Sequence, residues 1–366
     1  MKNMRNIGFA AMILLWAALV LAGWFGPAKE ISDSERRPLA QMPEIKVETI
    51  LNGKFMGAFE DYSLDQFPLR DTFRKIKSLF HYNVLNMSDN NDIYIADGFA
   101  VKQEYPLNHT SLNHALGRFE HIYDTLLKDS GSDIYFCVVP DKGYYLAESS
   151  GHLAMDYKTL FATLEQKLSW AEFVDITGTL DAQDYYRTDT HWRQEEILGA
   201  AEKLCEALGV AAFEEGELAQ VRVERPFYGV YYGQAALPMA AEDLYLMTGE
   251  ILDGCTVFDH ETGKTGAVYD MSKQDSRDLY DLYLSGARAL LTIENPNAST
   301  DRELVVFRDS FGSSMVPLLV KDYAKVTLVD IRYIASDLVG NFLEFNGQDV
   351  LFLYSTLILN SSNSLK

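Results

Sequence analysis

Short, almost purely apolar runs alternate with segments of helical spacing over the last two thirds of the chain. Each run is followed by a polar or glycine-containing turn, which is typical of strands buried on both faces of a parallel sheet. The runs occupy residues 133–140, 173–176, 289–293, 304–307, 326–329 and 350–354. Helical spacing between them, as in residues 110–127 and 157–168, predicts an α/β fold with helices on both faces of the sheet.

The N-terminal end follows a different pattern. An uncharged stretch from Ile7 to Phe25 follows Lys2 and Arg5 and is just long enough to cross a bilayer as a helix. We expect a transmembrane signal anchor at residues 1–26. A cleaved signal peptide is the alternative, because small residues at 20–22 offer a cleavage site, although the apolar run is longer than most signal cores.

The rest of the chain divides into two further parts. Residues 27–90 are expected to form a tether and a helical segment, because apolar residues recur at helical spacing from Phe55 to Tyr82 and Pro68 divides them into two helices. Residues 91–366 are the predicted main domain. Aromatic and alternating residues at about 215–290 indicate a β-rich insertion within it.

Composition limits the possible partners of the protein. The chain has 366 residues, 48% of them hydrophobic, so it can bury a large core. Its net charge of −21 repels phosphate groups. We therefore expect no nucleic-acid binding, and we do not expect the body of the protein to lie on an anionic membrane. Three cysteines are too few for a disulfide framework, although one pair is possible.

The apolar run 304–307 leads into the polar turn Arg308-Asp309-Ser310, and a helix is predicted over 315–320. A serine at such a turn lies at the C-terminal edge of a parallel sheet, beside the unpaired N–H groups of a helix start. That is a suitable place for the nucleophile of acyl transfer, because these N–H groups can hold an oxyanion. The alternative is that Asp309, Ser310 and Ser313 only cap the helix.

A second polar segment can supply the base that such a serine needs. Asp189 and His191 lie two residues apart, just before a predicted amphipathic helix over 195–208. A serine nucleophile requires a base, and the base requires an orienting carboxylate. The alternatives are a helix cap at Asp189, a packed histidine at 191, or half of a metal site. No second cluster of metal-ligand residues supports the last, so we expect no metal and no cofactor.

Four further residues are candidates for contact with a substrate, because each follows a predicted strand at the same sheet edge. They are Lys142, Tyr144, Arg308 and Arg332. For Lys142 and Tyr144 the alternative is an ordinary surface loop. For Arg332 it is a structural ion pair with Asp330. Arg308 either crowds an oxyanion site or adds positive charge to it.

An ordered set of motifs resembles the DHHW family, whose members are similar to the alginate O-acetyltransferases of the SGNH-like hydrolase group. The central motifs are DTHW at 189–192, DSFG at 309–312 and SERRPLAQMP at 34–43. Weaker ones span most of the chain, at residues 59–73, 138–146, 280–286, 326–334 and 349–359.

The resemblance implies an SGNH-hydrolase-like fold, that is, a flavodoxin-like parallel sheet in permuted order, with residues 91–366 as the catalytic domain. It also implies that Ser310, His191 and Asp189 form a catalytic triad. Two features differ from the family pattern. The family name contains two histidines where this chain has Asp189-Thr190-His191-Trp192, and Arg308 stands where glycine or another residue is often found. The glycine and asparagine segments that complete the usual oxyanion hole are not identifiable.

The resemblance further implies an O-acetyltransferase on the outer side of the cell membrane. Its serine would take an acetyl group from a membrane-bound O-acyltransferase partner and pass it to a hydroxyl of a cell-surface polysaccharide. One alternative is a polysaccharide acetyl esterase with the same triad. The other is a catalytically inactive, membrane-tethered scaffold that binds glycans, which Arg308 and the missing oxyanion segments would favour.

Overall fold

The computed structural model describes residues 2–32 and 34–366. The chain forms two compact units. The first contains the residues up to Asn91 together with Tyr232–Met239, and the second contains Asp92–Tyr231 and Ala240–Lys366. Residues 232–239 lie inside the region expected to be β-rich, and no sequence pattern indicated that they join the first unit.

An eight-stranded sheet forms the centre of the second unit, in the order β10-β9-β11-β13-β12-β14-β5-β6. Strands β13, β12, β14, β5 and β6 run parallel, whereas β10, β9 and β11 are antiparallel to their neighbours. The strands are β5 (Ile134–Val139), β6 (Glu172–Val174), β9 (Thr256–Asp259), β10 (Lys264–Gly266), β11 (Leu290–Glu294), β12 (Glu303–Arg308), β13 (Lys325–Val329) and β14 (Asp349–Ser355).

Alternate residues of the central strands enter separate cores on the two faces of this sheet. Leu304 and Val306 of β12 belong to one hydrophobic cluster, and Val305 and Phe307 belong to the other. Because both faces are buried, no polar residue interrupts the run, and this is why the strand could be predicted from four consecutive apolar residues. The predicted α/β sheet is confirmed.

The remaining strands form two-stranded pairs. They are β1 (Ile31–Ser32) with β2 (Arg37–Pro38), β3 (Ile93–Ala96) with β4 (Phe99–Lys102), and β7 (Ala219–Arg222) with β8 (Tyr245–Thr248). The region 215–290 therefore differs from the expected insertion. Only β7 and β8 form a separate pair, because β9 and β10 extend the main sheet.

The helices cover the faces of the sheet and build much of the first unit. They are α1 (Lys2–Phe25), α2 (Val47–Leu51), α3 (Lys54–Asp65), α4 (Arg70–Asn83), α5 (His109–Ile122), α6 (Lys142–Leu146), α7 (Tyr157–Lys167), α8 (Leu198–Leu208), α9 (Val230–Ala235), α10 (Glu250–Gly254), α11 (Gly312–Met315), α12 (Ser336–Val339) and α13 (Thr356–Asn360). The predicted break at Pro68 falls between α3 and α4.

Two helix predictions need correction. The predicted helix over 195–208 begins as a 3₁₀ turn at Gln194–Glu196 and becomes α-helical only at Leu198. The helix expected over 315–320 is instead the single α-turn α11 followed by a 3₁₀ turn over Val316–Leu319. Pro317 lies in that second turn, and its ring and missing N–H disfavour continued α-helix.

Helix α1 is long and apolar enough over Asn6–Phe25 to cross a membrane, and a signal sequence passes the same test. The three cysteines are free and buried, so the possible disulfide is not formed.

Candidate active site

The turn after β12 is fixed by the carboxylate of Asp309. Its Oδ1 accepts a hydrogen bond from the N–H of Phe311 at 2.9 Å, and its Oδ2 accepts one from the N–H of Ser355 at 2.8 Å. Asp309 is completely buried, whereas Ser310 is partly exposed. The carboxylate thereby connects the C-terminal ends of β12 and β14 and leaves the next side chain, that of Ser310, at the surface of the sheet edge.

Ser310, His191 and Asp189 form one continuous hydrogen-bonded array. His191 Nε2 lies 2.8 Å from Ser310 Oγ, although the two residues are 119 positions apart in the sequence. His191 Nδ1 lies 2.6 Å from Asp189 Oδ1, which also accepts the backbone N–H of His191 at 3.1 Å. The structure thus brings together the three residues that the sequence nominated, at the distances that proton transfer requires.

Asp189 is held by a segment that sequence reasoning missed. Its Oδ2 accepts a hydrogen bond from the N–H of Val230 at 2.7 Å, and the N–H of Gly229 donates to Thr188 Oγ1 at 2.9 Å. A Cβ atom at Gly229 would lie 2.3 Å from atoms of Asp189. Only glycine therefore permits this close approach. No sequence signal separates this glycine from those of ordinary turns.

Aromatic rings fix the plane of the His191 imidazole. The Tyr280 ring is stacked on it, with a centroid distance of 3.9 Å and an interplanar angle of 8°, and the Phe311 centroid lies 5.0 Å away. The Tyr280 hydroxyl is hydrogen-bonded to Ser314 Oγ at 2.7 Å, and this oxygen also accepts the Trp192 indole N–H at 2.8 Å. Tyr280 and Trp192 lie in the motifs YDLYLSG and DTHW, and these motifs were the sequence signal that could have indicated their place in the site.

Lys142 does not lie in a surface loop but in the interior. Its ammonium group donates hydrogen bonds to the carbonyl oxygens of Tyr186 and Arg187, at 2.9 and 3.4 Å. It also lies over the rings of Phe99 and Tyr231. Burial lowers the pKa of Lys142 to about 7, although the nearby negative charge of Asp189 opposes this shift. Lys142 is almost fully buried, and its hydrogen bonds position the backbone before Asp189. The predicted contact of Lys142 with a substrate is therefore corrected.

Arg308 is fully buried beneath the serine turn, with no exposed surface. Its guanidinium donates to Ser313 Oγ at 3.0 Å and to the Asp309 carbonyl oxygen at 3.2 Å, and it lies 3.9 Å from the carboxylate of Asp330. The prediction that Arg308 contacts substrate is therefore wrong. The expected crowding of an oxyanion site is also not found, because the side chain packs behind the turn.

Arg332 forms a bidentate ion pair with the carboxylate of Asp330, with nitrogen–oxygen distances of 2.8 and 2.6 Å. This geometry agrees with the alternative interpretation, in which Arg332 forms a structural ion pair with Asp330. Tyr144 lies on α6 with about a third of its surface exposed, and its ring packs edge-on against Tyr145 and Tyr157. A substrate contact by Tyr144 stays a prediction.

The Ser310 backbone can provide one oxyanion donor. No backbone carbonyl of the described residues accepts a hydrogen bond from the Ser310 N–H. A backbone N–H on the nucleophile itself lies beside the place where negative charge develops on an attacked carbonyl, so it is a candidate oxyanion donor. Within residues 2–32 and 34–366, no group of three or more His, Cys, Asp and Glu side chains is arranged to hold a metal ion.

The fold and the array together define a protein with the SGNH-hydrolase-like fold and a Ser–His–Asp arrangement at the sheet edge. A family model described as DHHW protein matches residues 176–329, which include Asp189, His191 and Ser310. The resemblance to DHHW proteins noted in the sequence is thereby confirmed over that part of the chain.

Solved structures show the same fold. The chain is similar to a DHHW family protein from Eubacterium siraeum DSM 15702, with a TM-score of 0.60 and 20% identity, over 75% of this chain and 94% of that one. It is also similar to Bacillus cereus PatB1 carrying a sulfonyl adduct, with a TM-score of 0.58 and 17% identity, over 73% of this chain and 95% of the other. No curated protein matches the chain.

Proposed function

We propose that this protein is an extracytoplasmic O-acetyltransferase that moves an acetyl group through Ser310 to hydroxyls of a cell-surface polysaccharide. The observation that carries the proposal is the unbroken array from Asp189 through His191 to Ser310. Its members come from two distant segments, each fixed by buried neighbours. An inactive scaffold has no need for such an arrangement, so we favour chemistry over glycan binding alone.

In the first half-reaction, His191 Nε2 removes the proton of the Ser310 hydroxyl as its oxygen attacks the acetyl carbonyl carbon of the donor. Asp189 holds the opposite ring nitrogen and stabilises the imidazolium that forms. The Ser310 N–H donates to the oxyanion of the tetrahedral intermediate. Collapse of this intermediate breaks the bond to the leaving group, which takes the proton from His191. The product is an acetyl ester on Ser310.

In the second half-reaction, His191 removes a proton from an acceptor hydroxyl. The acceptor oxygen attacks the acetyl carbon, the bond to Ser310 Oγ breaks, and the proton on His191 returns to that oxygen. Water in place of the sugar hydroxyl would give acetate, which is the esterase alternative. Transfer requires that a bound acceptor outcompetes water at the partly exposed serine.

The donor and the location are part of the proposal. A membrane-bound O-acyltransferase would present the acetyl group on the outer face of the membrane. Two observations support a location at the membrane: α1 is long and apolar enough to cross it, and the family resemblance is to exported proteins. The polysaccharide acceptor rests on the resemblance alone.

The test is intact-mass spectrometry of the full chain after brief incubation with an activated acetyl ester, with and without candidate polysaccharides. We expect one acetyl group on Ser310, and faster loss of it, with acetylated glycan as product, when the acceptor is present. Ser310→Ala should not acquire the group, whereas the exposed control Ser361→Ala should. Release as free acetate at an unchanged rate with every glycan would favour the esterase. No acetylation of the wild type would defeat both enzymatic functions.

A further inference from the structure

The outer face of α4 in the first unit is apolar and uncovered. Phe73, Ile76 and Phe80 lie within about 60° of one another at roughly 100° per residue. These three residues are 39%, 56% and 49% exposed. Leu69, the residue just before the helix, is 67% exposed. A contiguous exposed strip of this kind marks an interaction surface.

The opposite face of α4 is the one that packs. Ser78 is completely buried and its Oγ donates to the carbonyl oxygen of Ala235 at 2.7 Å. Arg74 donates to the carbonyl oxygen of Gly233 at 2.8 Å. The helix therefore has its polar side inward and its apolar side outward. This is the reverse of a helix on a water-soluble domain, so an apolar medium must cover the outer side.

Helix α1 identifies that medium, because it lies directly against the turn between α3 and α4. The rings of Trp16 and Phe67 lie 6.2 Å apart. Gly23 is buried against Pro68, and Trp24 Nε1 donates to Ser63 Oγ at 3.2 Å. Trp16 precedes the end of α1 by nine residues, or about 14 Å along the axis. If α1 crosses a bilayer, this turn lies beside the last part of the span.

The polar groups at the turn between α3 and α4 can lie at the depth of the bilayer interface, because they form hydrogen bonds with other groups of the first unit. The Gln66 side chain accepts from the N–H of Lys29 and donates to the carbonyl oxygens of Lys29 and Ala40. Asp65 accepts two hydrogen bonds from Arg37, at 2.6 and 2.8 Å. Paired groups of this kind greatly reduce the cost of removal from water.

The charge of the first unit permits contact with lipid, whereas that of the whole chain does not. Residues 1–91 and 232–239 contain 11 Lys and Arg against 10 Asp and Glu, and the rest of the chain contains 21 against 43. Lys77 of α4 also flanks the apolar strip, where it can approach lipid phosphates. The repulsion expected from the net charge of −21 thus does not arise from this unit.

We propose that the outer face of α4 and the α3–α4 turn are embedded in the interfacial region of a phospholipid bilayer, the same bilayer that α1 spans. The first unit is then held by a spanning helix and by an in-plane amphipathic helix. We assign this face to lipid, not to a second copy of this chain or another protein.

The test is the accessibility of nitroxide labels on the full-length chain in nanodiscs of phosphatidylethanolamine and phosphatidylglycerol. Single cysteines are introduced as Ile76→Cys and Phe80→Cys, with Lys75→Cys as the matched control on the same helix. Lys203→Cys serves as an aqueous reference and Leu15→Cys as a reference within α1. The native cysteines are buried and should not react in the folded protein, which unlabelled wild type checks.

We expect the ratio of oxygen collisions to collisions with a water-soluble nickel chelate to be several-fold higher at 76 and 80 than at 75 and 203. Values at 76 and 80 equal to that at 203 would overturn the proposal, because the face would then be in water. Low accessibility to both reagents would overturn it as well, since protein would then cover the face. An aqueous signal at Leu15→Cys would remove its basis, because α1 would not span the bilayer.

Discussion

The two units of this chain differ in net charge and in the kind of surface that they leave exposed. The second unit places continuous apolar strands inside and carries an excess of 22 acidic over basic residues. The first unit is nearly neutral and exposes the apolar residues Phe73, Ile76 and Phe80. The net charge of the whole chain therefore describes only one unit. An inference from total charge to membrane binding fails when the charge is unevenly distributed.

The largest expected effect separates the two units by function. His191→Ala removes the proposed general base, so turnover of an activated acetyl ester should fall about 10³-fold. Lipid accessibility at labelled position 76 should not change, because the array lies wholly within the second unit. Assays of ester hydrolysis check the fall in turnover, and the nitroxide measurement checks that the accessibility at position 76 is unchanged. Substantial activity in the variant would contradict the assigned role of His191.

The next effect is that of Gly229→Ala. The added methyl group must displace Asp189, and a misplacement of about 1 Å typically costs on the order of 100-fold in rate. Gly178→Ala is the matched control, because nothing lies within 4 Å of a Cβ there. Steady-state kinetics of both variants with the same ester check the difference. Equal rates for the two would mean that the approach of residue 229 does not set the position of Asp189.

Lys142→Met should reduce kcat roughly 10-fold and leave KM nearly unchanged, because it removes hydrogen bonds that position the segment before Asp189. The exposed Lys158→Met is the control. If Lys142 instead bound substrate, KM would rise. Kinetics over a range of ester concentrations distinguish a positioning residue from a binding residue. A change confined to KM would show that Lys142 contacts the substrate.

The remaining two predictions concern pH, and they have opposite signs in the two units. In the second unit, burial raises the pKa of Glu195 from 4.5 to about 7. The folded state therefore holds this proton more tightly, and stability falls as the pH rises from about 4.5 to 7. Glu195→Gln should raise the free energy of unfolding by about 3 kcal/mol at pH 8 and by much less at pH 4.

Thermal or urea unfolding at both pH values measures this change, with the exposed Glu202→Gln as control. An equal effect of Glu195→Gln at pH 4 and pH 8 would show that the carboxyl is not held neutral by the fold.

In the first unit, the hydrogen bonds from Arg37 hold the pKa of Asp65 below its ordinary value of 3.8. Their stabilisation is present above that value and is lost as the pH falls through the lowered pKa. Arg37→Ala should therefore weaken protection of α3 amides at pH 6 by about 1 kcal/mol, and by less at pH 3. Hydrogen exchange read by mass spectrometry resolves the segment.

The exposed pair of Arg222 and Asp243 in the second unit provides the control for Arg37→Ala. Arg222→Ala should have no measurable effect on amide protection at either pH. A larger loss of α3 protection at pH 3 than at pH 6 would reverse the sign and contradict the assignment to Asp65.

The sequence allowed prediction of those features that depend on local pattern. Strands buried on both faces leave uninterrupted apolar runs, so β5, β12, β13 and β14 could be located. Ser310, His191 and Asp189 were nominated because a nucleophile, a base and an orienting carboxylate stand in characteristic local settings. Their approach to one another depends on strand order, which only the resemblance implied.

Features that depend on tertiary contacts could not be predicted. Lys142 and Arg308 each follow or end a strand, and sequence gives no indication that their long side chains turn inward to meet carbonyl oxygens and Asp330. Gly229 is required by one backbone approach between segments 40 residues apart. From its sequence pattern, the outward apolar face of α4 would be predicted to be a normal buried face. Helical periodicity shows that a helix has an apolar side, but it does not show whether protein, lipid or water lies against that side.

The Asp309 carboxylate accepts from Phe311 on its own turn and from Ser355 at the end of the neighbouring strand. The attachment of the nucleophile therefore depends on the two strand ends, with Arg308, Ser313 and Asp330 packed beneath the turn. Insertions or deletions in the loops at 320–324 and 340–348 should leave the serine where it is. Chain length on the far side of the sheet is thus free to diverge, and variation there need not signal altered chemistry.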